Sequence, residues 1–201
     1  HKVFQQLTGT CKTLKLKKLW QAPFTLAKNV LNHIAKETEH ARAGKPAHII
    51  ARMNALTEEH VIRALYKASQ AGVRIELIVR GICALRPGLP GISDNVTVRS
   101  VVGRFLEHPR IYYFLNDGDE HLVCASADWM DRNLNRRIEI AFPIEDKKLF
   151  ARVKKDGLQL YLDDNSQSWL LQSDGSYVKR EVGGEAPVAA QRELLERYAN
   201  L

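Results

Sequence analysis

Cysteine is scarce in this sequence: Cys11, Cys83 and Cys124 are its only three. They are odd in number, widely scattered and form no Cys-x-x-Cys pair, which argues against a disulfide framework and a zinc site and suits a reducing compartment. Long hydrophobic runs are missing too. No apolar stretch reaches the ~18 residues of a membrane span. The first residues, His1-Lys2-Val3-Phe4-Gln5, lack the pattern of a secretory signal; they read as the interior of a helix, and the expectation is an excised part of a longer protein. There is no internal repeat and no low-complexity tract.

What is present is a globular composition, 45% hydrophobic, with a net charge of +7. Such a chain can bury a sizeable core. Its positive balance favours polyanionic partners, although many soluble proteins without such partners are equally basic. The length suits one large domain or a domain with an appendage. The expected division is an N-terminal segment and helix over residues 1–45, an α/β unit over 46–164, and an appended hairpin and helix over 165–201.

The basic residues Lys12, Lys15, Lys17 and Lys18 alternate with leucines and read as a strand or a basic linker. Leu26, Ala27, Val30, Leu31, Ile34 and Ala35 recur at helical spacing between Thr25, a candidate N-cap, and Gly44, a candidate stop. His33 and His40 on this helix read as surface residues. His48 to Asn54 is a buried strand with a polar end. Thr57 is the expected cap of the next helix, with Glu58 and Glu59 matching its dipole. Val73 to Val79 is a second strand. Strand, helix and strand with short links imply a right-handed parallel crossover. Its polar ends, Arg52-Met53-Asn54 and Arg80-Gly81, then share the sheet edge where ligands bind. Val96 to Val102 is a further strand. Asp146 to Leu162 is a helix weakened at Gly157, a hairpin turns at Asp174-Gly175, and a last helix covers Ala189 to Leu201.

The segment from Gly103 to Phe142 carries the chemistry. Two strand-like runs, Ile111–Leu115 and His121–Ala125, are joined by the turn Asn116-Asp117-Gly118-Asp119. His108, Arg110, Ser126, Arg132 and Glu139 cluster just outside them. These residue types suit phosphoryl transfer. An imidazole can attack a phosphate or exchange a proton with it, and guanidinium groups match its oxygens. A serine can donate a hydrogen bond, and a carboxylate can fix the histidine's tautomer. An ordinary loop histidine and a turn serine fit the same spacing.

These residues bring in a resemblance. Glu107-His108-Pro109-Arg110-Ile111-Tyr112, Ala125-Ser126-Ala127-Asp128-Trp129-Met130-Asp131-Arg132-Asn133 and Arg137-Ile138-Glu139 resemble the C-terminal domain of the bacterial polyphosphate kinase 1 family. Val79-Arg80-Gly81-Ile82-Cys83 and Gly91-Ile92-Ser93-Asp94-Asn95 extend the likeness. It implies an α/β phospholipase D-like domain, a mixed central sheet with helices on both faces. In that superfamily two similar halves each give a histidine to one site. Arg110 stands where the superfamily has lysine and Leu115 where it has an aspartate, which weakens a nuclease or lipase reading.

The implied activity is reversible transfer of the terminal phosphate of ATP to inorganic polyphosphate, through a phosphohistidine upstream of this chain. By the resemblance, His108 is the partner acid/base and Glu139 hydrogen-bonds it. Arg80 contacts the nucleotide's phosphates, and Arg52, Asn54, Arg110, Ser126 and Arg132 are further phosphate contacts. ATP or ADP is the substrate, Mg2+ is held by residues upstream, and none here is assigned to metal. Other domains of the same enzyme, homo-oligomers and a cytoplasmic location, at most peripheral to the inner membrane, are also implied; nucleic acid is not expected. Two other classes remain open: a phospholipase D-like phosphodiesterase half-site and a non-catalytic polyanion-binding module.

Overall fold

A computed structural model describes residues 2–7 and 16–199. In chain order these form α1 (Lys2–Leu7), β1 (Trp20–Gln21), α2 (Leu26–Arg42), β2 (His48–Met53), α3 (Glu59–Gln70), β3 (Arg74–Val79), β4 (Val96–Val101), β5 (Ile111–Phe114), β6 (His121–Ala125) and β7 (Ile140–Pro143). A helix in three parts follows, α4 (Lys147–Val153), a π-helical segment (Lys154–Gln159) and α5 (Leu160–Asp163), and then β8 (Ser168–Leu171), β9 (Tyr177–Lys179) and α6 (Ala190–Tyr198). Lys12 and Lys15 of the basic alternation lie outside the described residues, while Lys17 and Lys18 lie in irregular backbone just before β1.

All nine strands belong to one sheet, in the order β1-β7-β6-β5-β2-β3-β4-β8-β9. The crossover is as expected: β2 runs parallel to β3, with Ile49 opposite Ile75, and β3 runs parallel to β4. β5 lies antiparallel to β2, with Ala51 opposite Tyr112. The hairpin read as an appendage continues the same sheet, β8 pairing with β4 through Ser100 and Trp169. Likewise β1 pairs with β7.

Strand periodicity divides the core between two faces. Ile49, Ala51 and Met53 pack with Ile75, Leu77 and Val79 against Leu26, Val30 and Ile34 of α2 and Val61 and Leu65 of α3. Ile50, Ile78, Ile111, Tyr113 and Leu122 pack on the other face with Leu158, Leu160, Tyr161, Leu162 and Ala190. The sheet is therefore mixed and covered on both faces.

Several local expectations are corrected. Glu58, not Thr57, caps α3: its carboxylate accepts the Val61 N–H at 2.7 Å, the longer side chain reaching the orphan donors with a full charge. Thr25 does not cap α2 through its side chain; its hydroxyl accepts the Gln21 N–H at 2.9 Å and fixes the turn out of β1. His33 is not a plain surface residue. Its ring stacks between Trp20 and Phe114, with centroids 5.1 and 4.8 Å away. Gly157 is a contact point rather than a weakness: a Cβ there would come within 2.5 Å of Ile111 Cδ1, so glycine lets the helix sit close on the sheet.

Candidate active site

The C-terminal ends of β2, β3, β4 and β6 and the N-terminal ends of β5 and β7 meet at one edge of the sheet. Three segments form that rim: the residues just past β2 and β3, the loop from Val102 to Arg110, and the connection from Ser126 to Glu139. Cross-strand register does part of the work. Ile111 faces Cys124, so Arg110 and Ala125 leave the sheet side by side, and the Ala125 N–H donates to Arg110 O at 2.9 Å.

Asp128 joins these segments. Its Oδ1 accepts the Asn54 backbone N–H at 2.7 Å and Arg110 Nε at 3.1 Å, and its Oδ2 accepts Arg110 Nη2 at 3.0 Å. The third arginine nitrogen, Nη1, donates to the backbone oxygen of His108 at 2.9 Å. On the other side, Asn54 Oδ1 accepts Arg80 Nε at 3.1 Å and Nη2 at 2.9 Å. One continuous chain of contacts thus runs from Arg80 through Asn54, Asp128 and Arg110 to the backbone of His108. The buried Trp129 seats Asp128: its backbone oxygen accepts the N–H groups of Thr57 and Glu58 at 2.9 and 3.0 Å, tying the connection to the start of α3.

Within this frame the candidate residues separate into open and engaged groups. His108 is exposed, and among the described residues its ring has no hydrogen-bond partner. Arg80 is half-buried, and the group that answers its guanidinium is a neutral amide oxygen, so its charge is left uncompensated. Arg80, Asn54, Glu107 and Pro109 line one narrow cleft, which brings Arg80 to the two residues flanking His108. Arg132 is exposed on the same rim and pairs with no other candidate among the described residues.

The engaged group includes several expected ligands. Arg52 is only 6% exposed. It is held by Glu107 at 2.8 Å and by the Gly157 backbone oxygen at 3.0 Å, and it lies 3.3 Å over the Tyr161 ring. Arg52 alternates with Met53, so it projects onto the helix-covered second face, where it lines the same cleft as Arg80 but has its charge answered by Glu107. Arg110 gives Nε and Nη2 to Asp128 and Nη1 to His108 O, so it braces the loop that carries His108. Ser126 donates its hydroxyl proton to Glu139 and accepts the Ile140 N–H at 3.0 Å.

The expected Glu139–His108 hydrogen bond is absent among the described residues. The Glu139 carboxylate is taken by Ser126 and by Asn133 Nδ2 at 2.8 Å. These partners lie 13 and 6 residues away in the same connection, so Glu139 organises that connection instead. The sequence also holds a second His-x-Arg triplet, His40-Ala41-Arg42. It lies on α2 at the opposite end of the sheet, where His40 Nε2 meets Asn116 Oδ1 at 3.3 Å.

Asp128 and Glu107 were missed as contributors. A signal for Asp128 existed: an acid three residues past β6 beside an arginine just before β5, on strands that a short turn pairs. Nothing local marked Glu107, whose partners come from residues 52, 161 and 191. Among the described residues there is no group of three or more His, Cys, Asp or Glu side chains placed to hold a metal ion, and no helix is long and apolar enough to cross a membrane.

The chain is 60% identical over 200 residues to a polyphosphate kinase of Pseudomonas aeruginosa, covering 99% of this chain and 29% of that protein. It is also 60% identical to one of Burkholderia multivorans, covering 100% and 29%. The chain therefore spans less than a third of the length of these relatives. A crystal structure of polyphosphate kinase from Porphyromonas gingivalis superposes with a TM-score of 0.93 at 36% identity, over 98% of this chain and 30% of that one. Nuc from Salmonella typhimurium, a phospholipase D family member, matches with a TM-score of 0.54 at 14% identity, over 78% of this chain and 97% of that one, a likeness of fold alone. The family profile described as polyphosphate kinase C-terminal domain 2 matches residues 19–191, and the chain belongs to that family.

Proposed function

We propose that this chain is the second half of the phosphotransfer centre of a polyphosphate kinase, in which the terminal phosphate of ATP moves reversibly onto inorganic polyphosphate. The carrying observation is the pairing, on one rim, of an exposed unpartnered imidazole with a half-buried guanidinium whose charge no carboxylate answers. A phosphate between them gains from Arg80 a planar, charge-assisted donor set. His108 lies within the same rim to give or take a proton at a phosphate oxygen as charge moves. Arg132, also open, and Asn54 are further contacts for a polyanion.

In this reading the phosphorylated histidine belongs to another part of the longer enzyme. The rim suits such a composite arrangement. Ile82 and Leu106 are 68% and 70% exposed, and Val102 and Ile138 also stand open around the candidate residues, an apolar border that another part of the protein would cover. Magnesium is not assigned to this chain, because the carboxylates at the rim are already held: Asp128 by Arg110, Glu107 by Arg52, and Glu139 by Ser126 and Asn133.

Labelled ATP tests the division of labour. The longer enzyme is expected to take up label on a histidine and form polymer, and this chain alone to do neither while still binding tripolyphosphate. Label on a histidine of the isolated chain would overturn the placement of the nucleophile.

A further inference from the structure

The loop that carries His108 is gripped from below by residues far away in sequence. Glu107 is the point of attachment. Its Oε2 accepts Arg52 Nη2 at 2.8 Å and Gln191 Nε2 at 2.9 Å, and its Oε1 accepts the Tyr161 hydroxyl. Gln191 holds the loop a second time, accepting the Phe105 N–H at 2.8 Å and donating to Phe105 O at 2.9 Å. Gly103 completes the fit: any side chain there would collide with the carboxamides of Gln191 and Gln167. α6 is itself anchored, since the buried Asp164 accepts the Ala190 N–H at 2.8 Å and, through its other oxygen, the Gln167 N–H at 2.7 Å.

We propose that Glu107 is a positioning residue for His108, and that Tyr161 and Gln191, by fixing its carboxylate, make α5 and α6 part of the support of the reaction centre. The proposal rests on the reading of His108 given above. A loop tethered at residue 107 through one carboxylate with three donors has the backbone that carries His108 fixed in place relative to Arg80. Arg52 is too central to the core to test this cleanly. Tyr161 and Gln191 touch the loop through groups that can be removed with little change in volume.

The test uses Tyr161→Phe and Gln191→Leu in the longer enzyme, with His108→Ala and the outward-facing Arg192→Ala as references. Each of the first two is expected to speed amide exchange over residues 103–108 about tenfold relative to β2 and β3, and to lower kcat about tenfold or more with KM for ATP within about twofold. Arg192→Ala should change neither. Unchanged loop exchange overturns the proposal. So does faster exchange with full kcat when His108→Ala is inactive. Full turnover in His108→Ala would instead remove the reading of the site itself, and the proposal with it. If Gln191→Leu does not fold, Tyr161→Phe, which keeps the ring beneath Arg52, decides alone.

Discussion

The two ends of the sheet are built to opposite rules. At the end bearing the β5–β6 turn, charges are answered close by. Lys45 pairs with Asp117 at 2.5 Å and His48 with Glu76 at 2.8 Å. At the other end Arg52 and Arg110 are paired with Glu107 and Asp128, but Arg80 faces an amide, Arg132 and Arg137 have no ion pair among the described residues, and the His108 ring stands open. One sheet thus answers charges at the turn end and leaves cations open at the rim, as the proposed contact with a polyanion requires. Locally consistent choices that fail at one place point to function there.

The sharpest way to break this comparison is to remove the open imidazole. In the longer enzyme His108→Ala is expected to lower turnover about a thousandfold, within the range for a lost acid/base group. Because the ring is exposed and unpartnered, the urea midpoint should stay within experimental error of the parent. Retained turnover would reduce the open end to a solvated face, whereas lost stability would place His108 among the closed contacts.

Arg52 and Arg80 sharpen the contrast, since they end neighbouring parallel strands. Arg52→Met removes a buried partner of Glu107 and should cost about 3 kcal/mol of stability, as breaking a buried pair does. Arg80→Gln should leave stability nearly unchanged and weaken tripolyphosphate binding about tenfold to a hundredfold, a charge-assisted contact being worth roughly 1.5–3 kcal/mol. Added salt should weaken the parent's binding more than the variant's. Urea melts and calorimetric titrations at two ionic strengths separate the cases. Equal stability losses in both variants would mean that Arg80 too belongs to the frame.

The same pair shows how far the sequence could be read. The crossover, the parallel pairing and the rim were legible because the apolar run from Ile49 to Met53 and the alternation of Val73, Ile75, Leu77 and Val79 dictate strands, and short links dictate their order. The motif residues were legible as types, an imidazole with arginines beyond strand ends. Their division into open and engaged was not. Arg52 reads as an open cation until Glu107, 55 residues away, is found on it. Glu139 reads as a partner for His108 until Ser126 and Asn133 are found on it. The role of α6 was invisible because Gln191 reaches Phe105 and Glu107 across more than eighty residues, and no periodicity encodes such a contact. Gly157 looked like a helix fault because its reason, the approach of Ile111, lies on another strand.

The smallest expected effect tests the closed end through pH. His33 lies between Trp20 and Phe114 and 5.0 Å from His121. Burial first, then the nearby His121 and Lys36, lowers its pKa from 6.5 to about 4. The folded state therefore keeps the ring neutral where the unfolded chain already binds a proton. Its contribution is whole above pH 6.5 and is lost as pH falls toward 4, because unfolding then takes up a proton that folding excludes. His33→Gln removes this slope. After discounting for the ring's partial exposure, the parent should lose on the order of 1–2 kcal/mol more than the variant between pH 7 and pH 4, read from urea midpoints at both values. Tripolyphosphate affinity at pH 7 should be the same in parent and variant, because His33 lies at the end of the sheet opposite the proposed anion site. Parallel pH profiles would show that the stacked ring titrates freely, and a change in affinity would show that the two ends are not independent.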